Sequence, residues 1–159
     1  MALNYTKKTM KHFLHPKNVG EMKNPDGYAQ IGNMVCGDQL DFFLKVVKGK
    51  IKDVKFLSFG CASNIATASV LTEKVKGMTI TEAKKYPWEK IVSELGGLPN
   101  QKIHCSVMAV QGLKKAIADY ERSQVIEPSF SKKASPKKIV KKVAKKTPSK
   151  KAKAPVKKK

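Results

Sequence analysis

The sequence predicts an α+β fold, with a small antiparallel β-sheet of about three strands that helices cover on one face. Two runs with strand character, residues 40–48 and 50–59, precede a series of helix-like segments that starts near residue 62. Strands followed by helices, rather than alternating with them, are typical of this class. The chain has 159 residues, 41% of them hydrophobic, which is enough for one core but not for two large domains.

The N-terminal segment is predicted to form a short helix and then a loop. Apolar residues recur at helical spacing over about residues 3–14, and Pro16 disfavours helical geometry in the residue before it. Residues 16–32 are rich in Asn, Gly, Pro and Asp, a composition that predicts a loop. A third strand is predicted around 29–35, where this loop ends.

The two strand-like runs predict a hairpin. In the run 40–48, apolar side chains alternate with other residues, so that one face of the strand is buried. Lys48-Gly49 separates this run from 50–59 and suits a tight turn.

Four helices are predicted after Gly60. The first is expected to end at Gly77 and to pack closely on the sheet through small residues on one face, since Ala62, Ile65, Ala66, Ser69 and Val75 share it. Residues 79–82 form a capping-box pattern that begins the second, and the third runs from Pro87 to Gly96-Gly97. The last spans about residues 104–122, with an inward face of Met108, Gly112, Leu113, Ala116, Ile117 and Tyr120.

Positive charge is concentrated in the C-terminal part of the chain. There are 33 Lys and Arg residues against 12 acidic residues, a net charge of +21. Fourteen of the basic residues but only one of the acidic ones lie in residues 124–159, where Phe130 is the only aromatic residue. This composition cannot bury enough apolar surface to offset the entropy of ordering, so we predict a disordered basic tail over 124–159 after a folded domain over 1–123. Such a tail binds polyanions by counterion release, and two roles stay open for it: docking to nucleic acid or another polyanion, or a solvated, solubilising extension.

The sequence favours a cytoplasmic protein with no membrane span. No apolar run approaches the ~20 residues of a spanning helix. The segment 1–14 is interrupted by lysines and lacks the apolar region of a secretory signal. In a reducing compartment the three cysteines are expected to be free thiols or metal ligands rather than a disulfide framework.

The three cysteines share a position at the ends of predicted elements. Cys36 lies in a turn before a strand, whereas Cys61 and Cys105 lie where helices begin. Helix N-termini favour thiolates, which bind soft metals and iron–sulfur clusters. If the loops converge, Asp38 or His104 adds a fourth ligand weaker than a thiolate, which suits a site that releases its contents. The alternative is that the cysteines are small buried hydrophobic residues.

Four short motifs become specific when they are taken together. They are YTKKTMKHFLHPKNVG at 5–20, VCGD at 35–38, FGCASNIATAS at 59–69 and KIHCSVM at 102–108. Through these motifs, residues 1–123 resemble the IscU-type scaffold proteins of iron–sulfur cluster assembly, and are most similar to the N-terminal domain of NifU.

The resemblance implies an α+β scaffold without enzymatic turnover of its own. A cysteine desulfurase would deliver persulfide sulfur, iron would join it, and a labile 2Fe–2S cluster would form for transfer to apo-proteins. A ferredoxin or a frataxin-like protein would assist, and a homodimer is left open. Cys36, Cys61 and Cys105 match the ligand cysteines, Cys105 also matches the sulfur acceptor, and Asp38 matches the aspartate that keeps the site labile. His104 matches a histidine that can complete a metal site, which in the cluster-free family also holds zinc.

The sequence departs from the family pattern in two places. Residues 98–102 read LPNQK, where the family has Leu-Pro-Pro-Val-Lys for an Hsp70-type chaperone, so the resemblance does not carry that partner over. Ala62 replaces the second glycine of Gly-Cys-Gly, which a helix start is expected to tolerate.

Two other classes of function compete with the scaffold. One is a nucleic-acid-associated protein with structural zinc that acts through its basic tail. The other is a sulfurtransferase or thiol enzyme working through Cys105. The wide spacing of the cysteines disfavours the first, because structural zinc sites are usually closed by closely spaced Cys and His pairs.

Overall fold

A three-stranded antiparallel sheet with helices on one face confirms the α+β class. The structure is a computed structural model that describes residues 4–35 and 37–125. The strands are β1 (Gly27–Asn33), β2 (Asp38–Val47) and β3 (Lys50–Phe59), paired in the order β1-β2-β3. Alternate residues of each strand are buried beneath the helices, as the period of a half-buried strand requires.

The strand boundaries follow the sequence at β2 and β3 and depart from it at β1. Lys48 and Gly49 have positive φ values of 52° and 72°, the geometry of a tight hairpin turn. β1 begins at Gly27, inside the predicted loop 16–32, because Ala29 and Ile31 are buried and pair with β2.

The first helix, α1 (Lys7–Leu14), begins four residues later than predicted. Thr6 is its N-cap, since the Thr6 hydroxyl accepts a hydrogen bond from the Thr9 N–H at 3.1 Å. The same hydroxyl donates to the Leu95 carbonyl, which attaches the helix start to a distant segment.

The second helix, α2 (Ala62–Val75), is buried on nearly all sides. We predicted a single inward face that includes Ile65, yet Ile65 is only half-buried while Asn64 and Thr67 are fully buried. The reason is that α2 packs against α1, β3 and two later helices at once. A helix covered in this way does not show one apolar stripe.

The remaining helices are α3 (Ile80–Lys84), α4 (Trp88–Glu94) and α5 (Ile103–Val125). The predicted capping box between Thr79 and Glu82 at the start of α3 is present. The predicted inward face of α5 is confirmed, with Tyr120 half-buried at its end.

Helix α5 lies close against the sheet, and its last residue is also the last described residue. A Cβ atom on Gly112 would lie 2.8 Å from the Phe42 ring, so only glycine allows this approach.

The helix includes Gln124 and Val125, which the sequence assigns to the tail, and residues 126–159 lie outside the described residues. The boundary after residue 123 stays a prediction. Within 4–35 and 37–125, no helix combines the length and hydropathy of a membrane span.

Candidate metal centre

Three elements bring Asp38, Cys61 and Cys105 together. Asp38 is the first residue of β2, Cys61 is the N-cap of α2, and Cys105 lies in the first turn of α5. Their ligand atoms all lie within 4.8 Å of one another. Antiparallel pairing places the start of β2 beside the end of β3, and α2 follows directly from that end. The register between β2 and β3 therefore brings Asp38 close to Cys61, as the sequence led us to expect.

The carboxylate and the two thiols are in mutual contact. Asp38 Oδ2 lies 3.6 Å from Cys61 Sγ and 3.7 Å from Cys105 Sγ, and the two sulfur atoms are 3.8 Å apart. Asp38 is 4% exposed and Cys105 is 0% exposed, whereas Cys61 is half-buried. Cys61 is thus the sulfur ligand of this pair that contacts solvent.

A glycine allows the carboxylate to lie directly against the neighbouring chain. A Cβ atom on Gly60 would lie 2.5 Å from Asp38 Oδ1 and 2.8 Å from Asn64 Nδ2. The same Oδ1 accepts a hydrogen bond from the Cys61 N–H at 3.1 Å. The sequence places Gly60 at a helix boundary and in a family motif, but its contact with Asp38 depends on strand pairing that no local pattern reveals.

Asn64 connects the start of α2 to the two strands beside the site. Its Nδ2 donates to the Gln39 carbonyl at 3.3 Å and to the Ser58 hydroxyl at 3.1 Å. Gln39 directly follows Asp38, so this amide holds the strand that carries the carboxylate. Sequence reasoning missed Asn64, since a lone asparagine in a helix gives no signal of such a contact.

The two thiols differ in their protonation. A hydrogen bond from Cys105 is the main reason that the pKa of Cys61 falls to about 6, and the nearby Asn64 N–H and the Lys102 charge also favour the thiolate. The pKa of Cys105 is raised, because its thiol hydrogen-bonds to Cys61 and is buried near two anions. The expected preference for a thiolate therefore agrees with the lowered pKa of Cys61 and disagrees with the raised pKa of Cys105, where the hydrogen bond to Cys61 and burial outweigh the position at a helix start.

Lys102 directly precedes α5, and His104 lies in the first turn of α5. The negative charge of the Cys61 thiolate raises the pKa of Lys102. His104 is half-buried, and its Nε2 lies 3.6 Å from Cys105 Sγ. His104 is not one of the three groups whose ligand atoms are mutually within 4.8 Å. The sequence pointed to His104, whereas it gave no signal of the electrostatic coupling between Lys102 and Cys61.

Cys36, the third predicted cysteine ligand, lies outside the described residues. The chain on either side of it is described: Gly37 has a φ of 70°, a left-handed conformation that favours glycine. Two residues after Cys36 the chain enters β2 at Asp38.

The departure at Ala62 is accommodated as expected. Cys61 has extended backbone geometry, with φ −75° and ψ 167°, and Ala62 is the first helical residue of α2. No positive φ is needed at this position, so alanine introduces no backbone strain.

Exposed apolar side chains lie in the segments that carry the site. Met34 and Val35 are 101% and 97% exposed in the connection between β1 and β2, and Phe59 is 78% exposed at the end of β3. Exposed apolar residues of this size grouped near a reactive site are typical of a surface that contacts another molecule.

The donor set defines the chemistry that this site supports. Two sulfur ligands and one carboxylate suit zinc or iron, and the carboxylate is the harder and weaker partner for a soft metal. A mixed set of this kind holds a metal ion or a cluster less firmly than four thiolates would.

Comparison with known proteins identifies the family. A family model described as the NifU-like N terminal domain matches residues 4–127. The chain is 48% identical over 118 residues to "Iron-sulfur cluster assembly scaffold protein IscU 1" of Archaeoglobus fulgidus, covering 74% of this chain and 77% of that protein. It is 45% identical over 126 residues to the scaffold protein IscU of Aquifex aeolicus, covering 78% and 80%.

A solved structure supports the same fold. The crystal structure of a nitrogen-fixing NifU-like protein (N-terminal) from Brucella abortus matches with a TM-score of 0.61 at 18% identity, covering 74% of this chain and 94% of that one. At this identity the likeness concerns the fold alone. The family match over most of the chain and the relatives above 40% identity show that this chain belongs to the NifU-like N-terminal domain family.

Proposed function

We propose that this protein is a scaffold on which a labile 2Fe–2S cluster is assembled from iron and persulfide-derived sulfur and then passed to apo-proteins. The observation that carries the proposal is the contact between Asp38, Cys61 and Cys105, whose ligand atoms lie within 4.8 Å of one another. The names of the relatives from Archaeoglobus fulgidus and Aquifex aeolicus support the same assignment.

Each group has a distinct part in holding this cargo. The lowered pKa of Cys61 favours the thiolate that binds iron, and Cys105 must lose its proton to become the second sulfur ligand. Cys36 supplies the third sulfur ligand, and Asp38 or His104 supplies the fourth. The carboxylate is the ligand that an incoming thiol displaces most readily, because oxygen is a poor match for iron in a sulfide cluster. Before assembly the same residues hold zinc.

The scaffold works with other proteins and has no catalytic turnover. A cysteine desulfurase delivers sulfur, which ends on Cys105, a ferredoxin or frataxin-like protein assists, and apo-proteins accept the cluster. The exposed side chains of Met34, Val35 and Phe59 support contact with such proteins around the site. We propose a cytoplasmic location for the whole system.

Anaerobic reconstitution tests the proposal. The full chain is incubated with iron(II), cysteine, a reductant and a cysteine desulfurase, and absorbance and Mössbauer spectra are recorded. We expect a 2Fe–2S signature that transfers to an apo-ferredoxin and that Cys61→Ser and Cys105→Ser abolish. Gln111→Ala, an exposed change on α5, serves as the control and keeps the signature. Tightly bound zinc without cluster formation would contradict the scaffold function.

The basic tail is proposed to act separately from the cluster. Fourteen lysines in residues 124–159 favour polyanion binding by counterion release. Binding of a duplex DNA probe at several salt concentrations, with and without these residues, tests this. We expect the affinity to depend on the tail and cluster assembly to be independent of it. Loss of cluster assembly in the shortened chain would contradict the boundary after residue 123.

A further inference from the structure

We propose that Asn64 is a positioning residue that holds the Asp38 carboxylate against the two thiols and thereby makes this oxygen available to a bound metal ion. The inference rests on the proposed function and concerns the ligands of that same site. Asn64 is 0% exposed on α2, and its amide group is hydrogen-bonded to both β2 and β3. Asn64 therefore acts on the carboxylate through the backbone of β2.

The pairing of the sheet comes to an end at Asp38. The register between β2 and β3 ends with Gln39 and Phe59, so Asp38 lies one residue beyond the last pair on this side. On the other side Asp38 pairs with Asn33, which is the last residue of β1. The position of Asp38 therefore depends on contacts from outside the sheet as well as on strand pairing.

The Asn64 side chain supplies such a contact. Its Nδ2 donates to the Gln39 carbonyl at 3.3 Å and to the Ser58 hydroxyl at 3.1 Å, so both amide protons are used. Gln39 directly follows Asp38 in the chain. Rotation of the amide by half a turn would place its oxygen against the Gln39 carbonyl, so these bonds also define the orientation of the side chain. The amide thus attaches the start of β2 to α2.

The amide and the carboxylate share the space in front of Gly60. A Cβ atom on Gly60 would lie 2.5 Å from Asp38 Oδ1 and 2.8 Å from Asn64 Nδ2. The Cys61 N–H donates to Oδ1 at 3.1 Å. The other oxygen, Oδ2, then lies 3.6 Å from Cys61 Sγ and 3.7 Å from Cys105 Sγ. A shift of β2 relative to α2 would move this oxygen away from the sulfur atoms.

The oxygen of the Asn64 amide indicates that this side chain is not placed for stability alone. Within the part of the chain that the structure describes, Asn64 Oδ1 is buried and accepts no hydrogen bond. A buried acceptor without a donor destabilises the folded state, and such a group calls for a specific explanation. The two bonds that Nδ2 makes beside a metal ligand provide one.

Loss of these bonds should weaken metal binding through Asp38. In Asn64→Ala the Gln39 carbonyl loses its donor, so the start of β2 can move and the carboxylate is no longer held at the thiols. We expect zinc affinity to fall about tenfold, as is typical when a group that orients a metal ligand is removed. The d–d absorption of bound Co²⁺ should shift while the thiolate-to-metal bands remain. This is an equilibrium effect, distinct from the rate at which a cluster leaves.

A double-mutant cycle with Asp38 tests the proposal. Zinc affinity and the Co²⁺ spectrum are measured for the full-length chain with Asn64→Ala, with Asp38→Ala and with both substitutions. In the Asp38→Ala background, Asn64→Ala should have no further effect on either measurement, because the group that it positions is absent. A merely structural role would lower zinc affinity equally in both backgrounds.

Thr72→Ala is the matched control. Thr72 is also fully buried on α2, and its hydroxyl donates to the Ser69 carbonyl at 3.0 Å. Its loss should lower stability and leave both metal measurements unchanged. If Asn64→Ala folds poorly, Asn64→Leu fills a similar space without donors and should give the same shift of the Co²⁺ spectrum.

The role of Asn64 would be overturned by an additive cycle or by an unchanged Co²⁺ spectrum in Asn64→Ala and Asn64→Leu. An additive cycle in a chain that still assembles a cluster would remove this role alone. A non-additive cycle in a chain that binds zinc but assembles no cluster would support the role of Asn64 and remove the proposed scaffold function. Failure of the wild-type chain to bind either metal ion would overturn the positioning role.

Discussion

The two ends of the β-sheet differ in the contacts that the chain makes there. At the hairpin end, backbone hydrogen bonds join the chain to the segment before α3: the Ile51 N–H donates to the Met78 carbonyl at 2.9 Å, and the Gly77 N–H donates to the Ile51 carbonyl at 2.8 Å. At the other end, Met34 and Phe59 are strongly exposed. There the Asp38 carboxylate contacts the Cys61 and Cys105 thiols and accepts a hydrogen bond from the Cys61 N–H.

This difference shows where the molecule gains stability and where it keeps reactive groups. Paired backbone groups and buried apolar side chains stabilise the hairpin end. The site end holds a buried carboxylate beside two thiols, an arrangement that adds little to stability until a metal ion binds. Substitutions at the two ends should therefore affect different measurements.

The largest expected effect is at the hairpin end. Ile51 is fully buried, so Ile51→Ala leaves a cavity and should lower the free energy of unfolding by about 2–5 kcal/mol. Chemical denaturation of the metal-free protein measures this, with Ile51→Val as the milder control. Zinc binding of the fraction that remains folded should be unchanged, and a large loss of zinc affinity would show that the two ends are not separable.

Gly60→Ala, at the site end, should change both the stability of the protein and the geometry of metal binding. The added methyl group would meet Asp38 Oδ1 at 2.5 Å, so the carboxylate must move, at a cost of about 1–3 kcal/mol. The absorption spectrum of bound Co²⁺ should change at the same time, since a ligand oxygen is displaced. Gly32→Ala is the matched control, because its methyl group meets only the Asp38 carbonyl at 3.5 Å. Equal spectra for the two variants would contradict the positioning of Asp38 by Gly60.

Thr79→Ala tests how much the capping box near the hairpin end contributes to the stability of the protein. It removes the capping box of α3 and should lower the free energy of unfolding by about 1 kcal/mol. Thr81→Ala, an exposed change in the same helix, is the control and should have almost no effect. Thermal unfolding measures both variants, and similar losses for the two would mean that the cap contributes nothing specific.

The smallest expected effect is kinetic. Asp38→Ala removes the proposed oxygen ligand and should slow cluster release severalfold, about 1 kcal/mol in the barrier. Transfer of a preformed cluster to an apo-ferredoxin measures this rate. Asp38→Asn keeps a hydrogen-bond acceptor for the Cys61 N–H and separates the ligand from the positioning contact. An unchanged or faster transfer in Asp38→Ala would disprove the labilising effect.

Local signals predicted those parts of the fold that local contacts determine. The turn at Lys48-Gly49 and the capping box at Thr79 depend on residues that are adjacent in sequence, and both are present. The start of α1 was placed too early because Thr6 makes a long-range hydrogen bond to Leu95. The burial of α2 on nearly all sides was missed for the same reason, since it depends on packing by several elements.

The sequence pointed to Asp38, Cys61 and Cys105, which the structure brings together, but not to their interactions. Cysteines at helix starts and the family resemblance pointed to Cys61 and Cys105. The opposite pKa shifts of these two thiols follow from a sulfur–sulfur distance of 3.8 Å, which no sequence pattern specifies. The contact between Gly60 and Asp38 likewise requires the register between β2 and β3.

The length of α5 places its last residue far from the thiol in its first turn. Cys105 lies in its first turn and Val125 is its last residue, so a rise of 1.5 Å per residue places them about 30 Å apart. This separation is more than three Debye lengths at physiological salt. A charge held at Val125 is therefore almost fully screened at the two thiols. Within the described residues, the length of α5 thus keeps the electrostatics of its two ends separate.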